Sequence, residues 1–199
     1  MMIMARYAAE HKQTTRRKIL GAADDLMKAR GYEAMSVSDV MARAGLTVGG
    51  FYAHFPSKEA LAHEALLYGL SRSVDRLLDS LAHIDDPNAW VRALIRHYLA
   101  QVDDPSLEHA CPMTLLLPEV ARADREARNA FAAHTGMLLD RIAAHFPEVE
   151  GTTRREAALF VYTSCAGAVS VARAMAAPEA RHRIVDTTER MLVRALGLV

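Results

Sequence analysis

The stretch from Ser36 to Ser57 constrains the fold more than any other part of the chain, because helix-starting and helix-ending residues alternate there in quick succession. Ser36 is a helix-capping type, and Val37, Val40, Met41 and Ala44 follow it at helical spacing. Gly45 lies just beyond, where a left-handed backbone is cheap only for glycine. Leu46 then leads directly to Thr47, a second capping type, and Pro56 closes the short segment that follows. Two short helices separated by a three-to-four-residue, glycine-containing turn are the signature of a helix-turn-helix. One feature does not fit a plain helix: Gly49 and Gly50 fall in the first turn of the second one, and each costs about 1 kcal/mol relative to alanine.

The flanking segments read as longer helices. Thr14 or Thr15 caps a first helix with Ile19, Ala22, Ala23, Leu26 and Met27 on one face, and Gly31 ends it. Ser57 caps a helix whose apolar series from Leu61 through Leu70 and Val74 to Leu81 runs on without a breaker for about 35 Å at 1.5 Å per residue. Asp86 and Pro87 start another, through Trp90, Leu94, Tyr98 and Val102, and Asp103-Asp104-Pro105 breaks it. Cys111-Pro112 opens an apolar segment that Pro118 either ends or bends into the helix carrying Val120, Phe131, Met137, Leu138 and Ile142. Two last helices are expected at roughly 153–176 and 179–196. Alternating Val, Ile, Thr and aromatic runs are missing, so the fold class is all-α.

The formal charge is zero, but residues 1–60 hold nine Lys/Arg against six Asp/Glu, with Arg6, Lys12, Arg16, Arg17 and Lys18 grouped together. A solvated face and a polyanion-binding face share that pattern. Two cysteines, Cys111 and Cys165, are too few for a disulfide scaffold and fit a reducing compartment. The longest uncharged run, between Glu156 and Arg173, is too short and too polar to span a membrane, and residues 1–5 do not lead into an apolar signal core. A soluble, cytoplasmic protein without a cofactor is the expectation.

The segment Gly31-Tyr-Glu followed by Ser36-Val-Ser-Asp-Val-Met-Ala-Arg-Ala-Gly-Leu-Thr-Val-Gly-Gly-Phe-Tyr-Ala-His-Phe-Pro-Ser-Lys-Glu-Ala-Leu61 resembles the N-terminal domain of the TetR/AcrR family of bacterial transcriptional regulators. The likeness covers about residues 12–66. It implies a helix-turn-helix DNA-binding domain over 12–60 and a helical ligand-binding and dimerisation domain over 61–199. The implied protein is a homodimeric repressor that binds a palindromic double-stranded DNA operator and is released by a small apolar or amphipathic inducer, with no membrane partner and no enzymatic activity.

In a helix-turn-helix the start of the second helix enters the major groove, which brings Thr47, Val48, Gly49 and Gly50 nearest the bases and Tyr52 one turn away. The resemblance implies that Thr47, Ser36 and Ser38 meet phosphates and that His54 and Lys58 lie along the backbone. The sequence has Ala53 and His54 where the family more often has a polar residue and a tyrosine. Lys58 in the first turn of a helix opposes the macrodipole unless an anion sits there, which a phosphate would supply. Arg16, at the start of the basic group, is a further phosphate or minor-groove candidate.

For the inducer, Trp90, Leu94, Tyr98, Met113, Leu116, Leu117, Met137 and Phe160 are candidate pocket residues, although the same stripe also reads as core. The small-residue stretch Thr163-Ser-Cys-Ala-Gly-Ala-Val-Ser170 suits close helix packing, within one subunit or against a second copy. Cys111, before Pro112 at a helix start, reads either as a redox- or electrophile-sensing thiol or as a small buried hydrophobe. Gly-x-Ser-x-Gly, His-Glu-x-x-His and a strand-loop phosphate cradle do not occur. His97, His109 and Cys111 match no established ligand spacing, leaving a metal-responsive regulator and a helical interaction module as weaker readings.

Overall fold

The computed structural model describes residues 2–104, 107 and 110–198; Pro105 and His109 lie outside the described residues. Eight α-helices are described: α1 (Met2–Ala34), α2 (Val37–Arg43), α3 (Lys58–Leu81), α4 (Pro87–Leu99), α5 (Met113–Arg122), α6 (Arg125–Ala143), α7 (Arg154–Arg173) and α8 (Pro178–Ala195). Two 3₁₀ helices, Val48–Ala53 and Ala100–Asp103, join them, and no β-strand occurs among the described residues. The chain divides into two compact units, Met1–Leu70 and Ser71–Val199, so α3 begins in the first and ends in the second.

Several helix boundaries follow from single residues. The Ser36 hydroxyl accepts from Asp39 N at 3.0 Å and starts α2. Gly45, at φ 71°, turns the chain out of α2. Ser57 Oγ accepts from Ala60 N to start α3, and Asp86 Oδ1 accepts from Ala89 N ahead of Pro87 to start α4. Thr153 and Glu156 form a reciprocal capping box at the start of α7, satisfying two backbone donors that the helix itself leaves free.

Elsewhere the structure departs from the sequence reading. α1 does not start at Thr14 or Thr15: the helix is already under way at Met2, and Thr14 Oγ1 instead donates back to Glu10 O at 2.9 Å. Gly31, at φ 78° and ψ 168°, does interrupt it, a conformation open to glycine and strained for other residues. Pro118 neither ends its helix nor bends it into the next; it lies inside α5, and the break comes at Ala123-Asp124, where Asp124 Oδ1 accepts from Ala127 N to start α6. The local cap, rather than the proline, sets the boundary. α4 stops at Leu99 and tightens into the 3₁₀ turn that holds Val102.

In the first unit, Ile19, Ala23, Met27, Val40, Met41, Phe51, Phe55 and Leu61 are buried together as its core. Beneath them, and below 5% exposed, sit two charged residues, Asp24 and Lys28, with Lys28 Nζ 2.9 Å from Asp24 Oδ2. Gly69 of α3 packs on that carboxylate so closely that a β-carbon there would lie 2.1 Å from Oδ1. In the second unit α7 packs against α4, α5, α6 and α8. Trp90 is stacked on His145, with ring centroids 4.6 Å apart, and meets the edge of Phe146. The C-terminal part of α3 is held to α6 by Ser71 Oγ to His134 Nε2 at 2.9 Å and by Arg141 to Asp75 at 2.8 Å.

Candidate nucleic-acid interface and internal cavity

The second helix of the helix-turn-helix is a 3₁₀ helix rather than an α-helix. Thr47 occupies its cap position with extended backbone but its side chain makes no capping hydrogen bond. The tighter helix and the spare hydroxyl share a cause: with Gly49 and Gly50 in the first turn, little side-chain bulk or propensity favours α geometry. Phe51 and Phe55 are fully buried, 6.0 Å apart and stacked, and fix the segment against α2. That anchoring turns Val48 and Tyr52 outward, 47% and 74% exposed, a high exposure for a valine and a tyrosine.

Around them lies most of the candidate surface. Ser36, Ser38, Thr47 and Gly49 are exposed, and Gly50 is half-buried. A β-carbon on Gly49 would meet nothing within 4 Å, and one on Gly50 would meet only the Met41 methyl at an ordinary 3.8 Å. Neither glycine has a positive φ. Packing and backbone strain therefore do not require glycine at either position, and the two leave a flat, side-chain-free strip between Val48 and Tyr52.

The basic candidates are placed differently. Arg16 forms a two-pronged pair with Glu64, at 2.5 and 2.7 Å, and its guanidinium lies 4.3 Å over the Phe55 ring. Glu64 holds its pKa above the ordinary arginine value. Lys58 donates to Glu33 O at 3.3 Å and lies 4.3 Å over the Tyr32 ring, so the charge that opposes the α3 dipole is met within the protein by a carbonyl and a ring face. Tyr32 in turn donates to Glu59 at 2.9 Å; burial first, then the Glu59 carboxylate, push its pKa up to about 12. His54 is half-buried with Nδ1 lacking a hydrogen-bond partner, and burial, Lys12 and Arg16 lower its pKa. It is neutral at pH 7.

The second unit contains a cavity of about 480 Å³, within the usual range of small-molecule sites. Its inner walls are Val74 and Leu77 of α3, Leu94 and Tyr98 of α4, Ile142 of α6, and Ala158, Val161, Tyr162 and Cys165 of α7. Polar groups, among them Ser80, Arg76, His97, Gln101 and Asp104, complete the lining. Of the eight pocket candidates, Leu94 and Tyr98 line this space. Trp90, Met113 and Leu116 are buried but outside the lining, while Leu117, Met137 and Phe160 are exposed.

The contribution of α3 was not anticipated, and that of α7 only through Phe160, which lies exposed outside the lining. Both follow a helical signal: Ser73, Arg76, Leu77 and Ser80 share one face of α3, and Ala158, Val161, Tyr162 and Cys165 share one face of α7.

Cys111 lies in the cavity wall, 3% exposed, with Sγ 4.0 Å from the Tyr162 hydroxyl. Its backbone N–H donates to Gln101 Oε1, and its carbonyl accepts from both Thr114 N and Thr114 Oγ1. Burial pushes the Cys165 thiol up to about 12. Among the described residues no group of three His, Cys, Asp or Glu side chains is arranged to hold a metal ion, and no helix is long and apolar enough to cross a membrane.

A helix-turn-helix followed by an all-helical unit with an internal cavity defines a class of two-part, all-α proteins. Comparison with known proteins narrows the class. Residues 19–65 match the family model of bacterial regulatory proteins of the tetR family. The chain is 30% identical over 95 residues to the uncharacterised HTH-type transcriptional regulator YfiR of Bacillus subtilis (strain 168), across 48% of this chain and 44% of YfiR, so the match spans less than half of that relative. It is 28% identical over 146 residues to the HTH-type transcriptional regulator TtgR of Pseudomonas putida, across 68% of each. In fold it is similar to a TetR transcriptional regulator from Chloroflexus aurantiacus J-10-FL, with a TM-score of 0.70 over 93% of this chain and 97% of that one at 23% identity. Residues 19–65 thus carry the DNA-binding domain of the tetR family of bacterial regulatory proteins, and the relatives matched are named as transcriptional regulators.

Proposed function

We propose that the chain is a homodimeric, ligand-responsive repressor that acts in the cytoplasm, binds a palindromic operator through residues 12–60, and uses 61–199 to dimerise and to hold an inducer. The observation that carries the reading is the Val48–Tyr52 strip, where two apolar side chains project into solvent on either side of glycines that packing does not require. A surface bare of side chains lets backbone approach a base-pair edge closely, leaving base reading to Val48, Tyr52 and Thr47 and further discrimination to DNA shape. Ser36 and Ser38 supply phosphate contacts on the approach from α2. Arg16 and Lys58 are held by partners within the protein, so they contribute to DNA binding by releasing or sharing those partners at the phosphates, with the half-buried His54 close to Arg16.

A palindromic operator needs two recognition segments about 34 to 36 Å apart, hence two copies of the chain. Support for a second copy comes from α7, where Phe160, Thr163, Gly167 and Val171 are exposed at helical spacing and a β-carbon on Gly167 would meet nothing within 4 Å. Exposed apolar residues around a glycine suit helix-on-helix contact with a partner of the same kind. The inducer acts by binding one arrangement of the dimer more tightly than the other. α3 is the natural lever, since it starts beside the helix-turn-helix and its later turns line the cavity.

Selection of bound sites from random duplex DNA at fixed salt tests the reading. Recovery of an inverted repeat with half-sites one helical turn apart is expected, and recovery of no repeat overturns it. A reporter driven through the selected site should fall on expression of the protein; a rise would show an activator.

A further inference from the structure

The cavity combines an apolar body with two polar groups that the protein does not fully satisfy. In its wall the Tyr98 ring is packed edge to face against Tyr162, with centroids 6.0 Å apart, and only 6% of Tyr98 is exposed. Its hydroxyl is buried and has no hydrogen-bond partner of ordinary geometry, only the weakly bonding Cys111 thiol nearby, and the residue is one of those lining the cavity. A buried hydroxyl in that state carries most of the cost of lost hydration unless something in the cavity bonds to it. Arg76, His97 and Asp104 also line it. Asp104 is engaged within the protein and its charge acts on Arg173, whose guanidinium donates to Gln101 O at 2.7 Å and Thr114 Oγ1 at 3.3 Å. Arg76 pairs with no carboxylate among the described residues, and its charge reaches His97 beside it. Among the described residues Arg76 is thus a positive charge of the lining without a carboxylate partner, beside a largely apolar interior.

Resting on the reading of the cavity as the inducer site, we propose that its ligand class is an amphipathic organic acid, an apolar, ring-bearing body carrying one carboxylate. The carboxylate is held at Arg76 by a charge-assisted, two-pronged hydrogen bond, and the body lies along Leu77, Leu94 and Val161 against the Tyr98 and Tyr162 rings. Tyr98 donates its hydroxyl to an acceptor on the body, or to the face of a ring where the body has none. Amines are disfavoured by the Arg76 charge, and neutral alcohols lose the Arg76 contact alone.

Calorimetric titration of the full-length protein with phenylbutyrate, phenylbutanol and phenylbutylamine, which share one body, separates these contributions. The acid should bind about tenfold tighter than the alcohol, and the amine weakest. Arg76→Gln should remove the advantage of the acid and leave the alcohol unchanged; Arg76→Lys should restore part of it; Tyr98→Phe should weaken acid and alcohol alike. Acid and alcohol binding equally, or an acid affinity that Arg76→Gln leaves intact, overturns the proposal while the cavity stands as a ligand site. If none of the three binds at millimolar concentration, the cavity reading itself fails and takes this inference with it.

Discussion

Replacing Gly69 with alanine places a methyl group where the Asp24 carboxylate already is. The new β-carbon would lie 2.1 Å from Oδ1, 2.6 Å from Cγ and 2.9 Å from Oδ2, all far inside van der Waals contact. A solvent-exposed carboxylate would swing aside at small cost, but the side chains of Asp24 and Lys28 are each 1% exposed and joined at 2.9 Å. Moving the carboxylate breaks or strains that pair in the core, and a broken buried pair costs about 3 to 5 kcal/mol. The better helix propensity of alanine returns about 1 kcal/mol, so the first unit should lose roughly 2 to 4 kcal/mol.

Urea denaturation of the full-length chain measures it, with far-UV circular dichroism following both units and the fluorescence of Trp90, the single tryptophan, following the second unit alone. The early dichroism transition should move to lower urea while the tryptophan transition holds its place. In an Asp24→Ala, Lys28→Met background the same Gly69→Ala change should become neutral or stabilising by up to about 1 kcal/mol, since nothing charged remains to displace. A Gly69→Ala protein as stable as the parent would refute the reasoning, because it would mean that the pair yields freely.

Gly49→Ala, entering open space, should stabilise the first unit by up to about 1 kcal/mol and weaken operator binding measured by fluorescence anisotropy; unchanged affinity would remove the close-approach argument. His54 has a folded pKa below its ordinary 6.5, so its contribution to stability is present above that value and drains away as pH falls through the lowered one; urea midpoints from pH 7 to 5 should decline, and more shallowly in His54→Gln. If the chain is the proposed dimer, Gly167→Arg should convert it to monomer in sedimentation at unchanged helix content, and a variant that stays dimeric would move the interface away from α7. In a Cys111→Ser background Cys165, buried and with its thiol raised to about 12, should react with a bulky thiol reagent at pH 8 at a rate set by opening of the fold; rapid modification of that folded protein would contradict its placement.

Capping chemistry was the most legible layer of the sequence. Ser36, Ser57, Asp86 and Thr153 each announce a helix by a side chain that reaches only three residues, so the signal is complete within a short window. Pro118 misled for the complementary reason: a proline marks where a helix is weakened, but Asp124 a turn and a half later supplies the positive reason to begin a new one. The apolar stripe that suggested a pocket holds Leu94 and Tyr98 in common with the cavity, yet Met137 and Phe160 point to solvent. Periodicity reports that one face of a helix is apolar; it does not report whether a neighbour, a cavity or a second chain covers that face.

The basic residues show the same limit from the side of charge. Arg16 and Lys58 are candidate phosphate contacts, and counted along the chain they are free cations. Folded, Arg16 is committed to Glu64 and Phe55, and Lys58 to Glu33 and Tyr32. Engaging a phosphate therefore means exchanging one set of partners for another, and the net gain per contact is smaller than for an unpaired lysine or arginine. On the proposed DNA-contact reading, such a surface should bind DNA weakly wherever the side-chain-free strip cannot seat against the bases, which favours discrimination between sites over general affinity. The pair Arg16–Glu64 then acts on specificity through its internal bond: Glu64→Gln, by loosening Arg16, should strengthen binding to unrelated DNA more than binding to the selected operator.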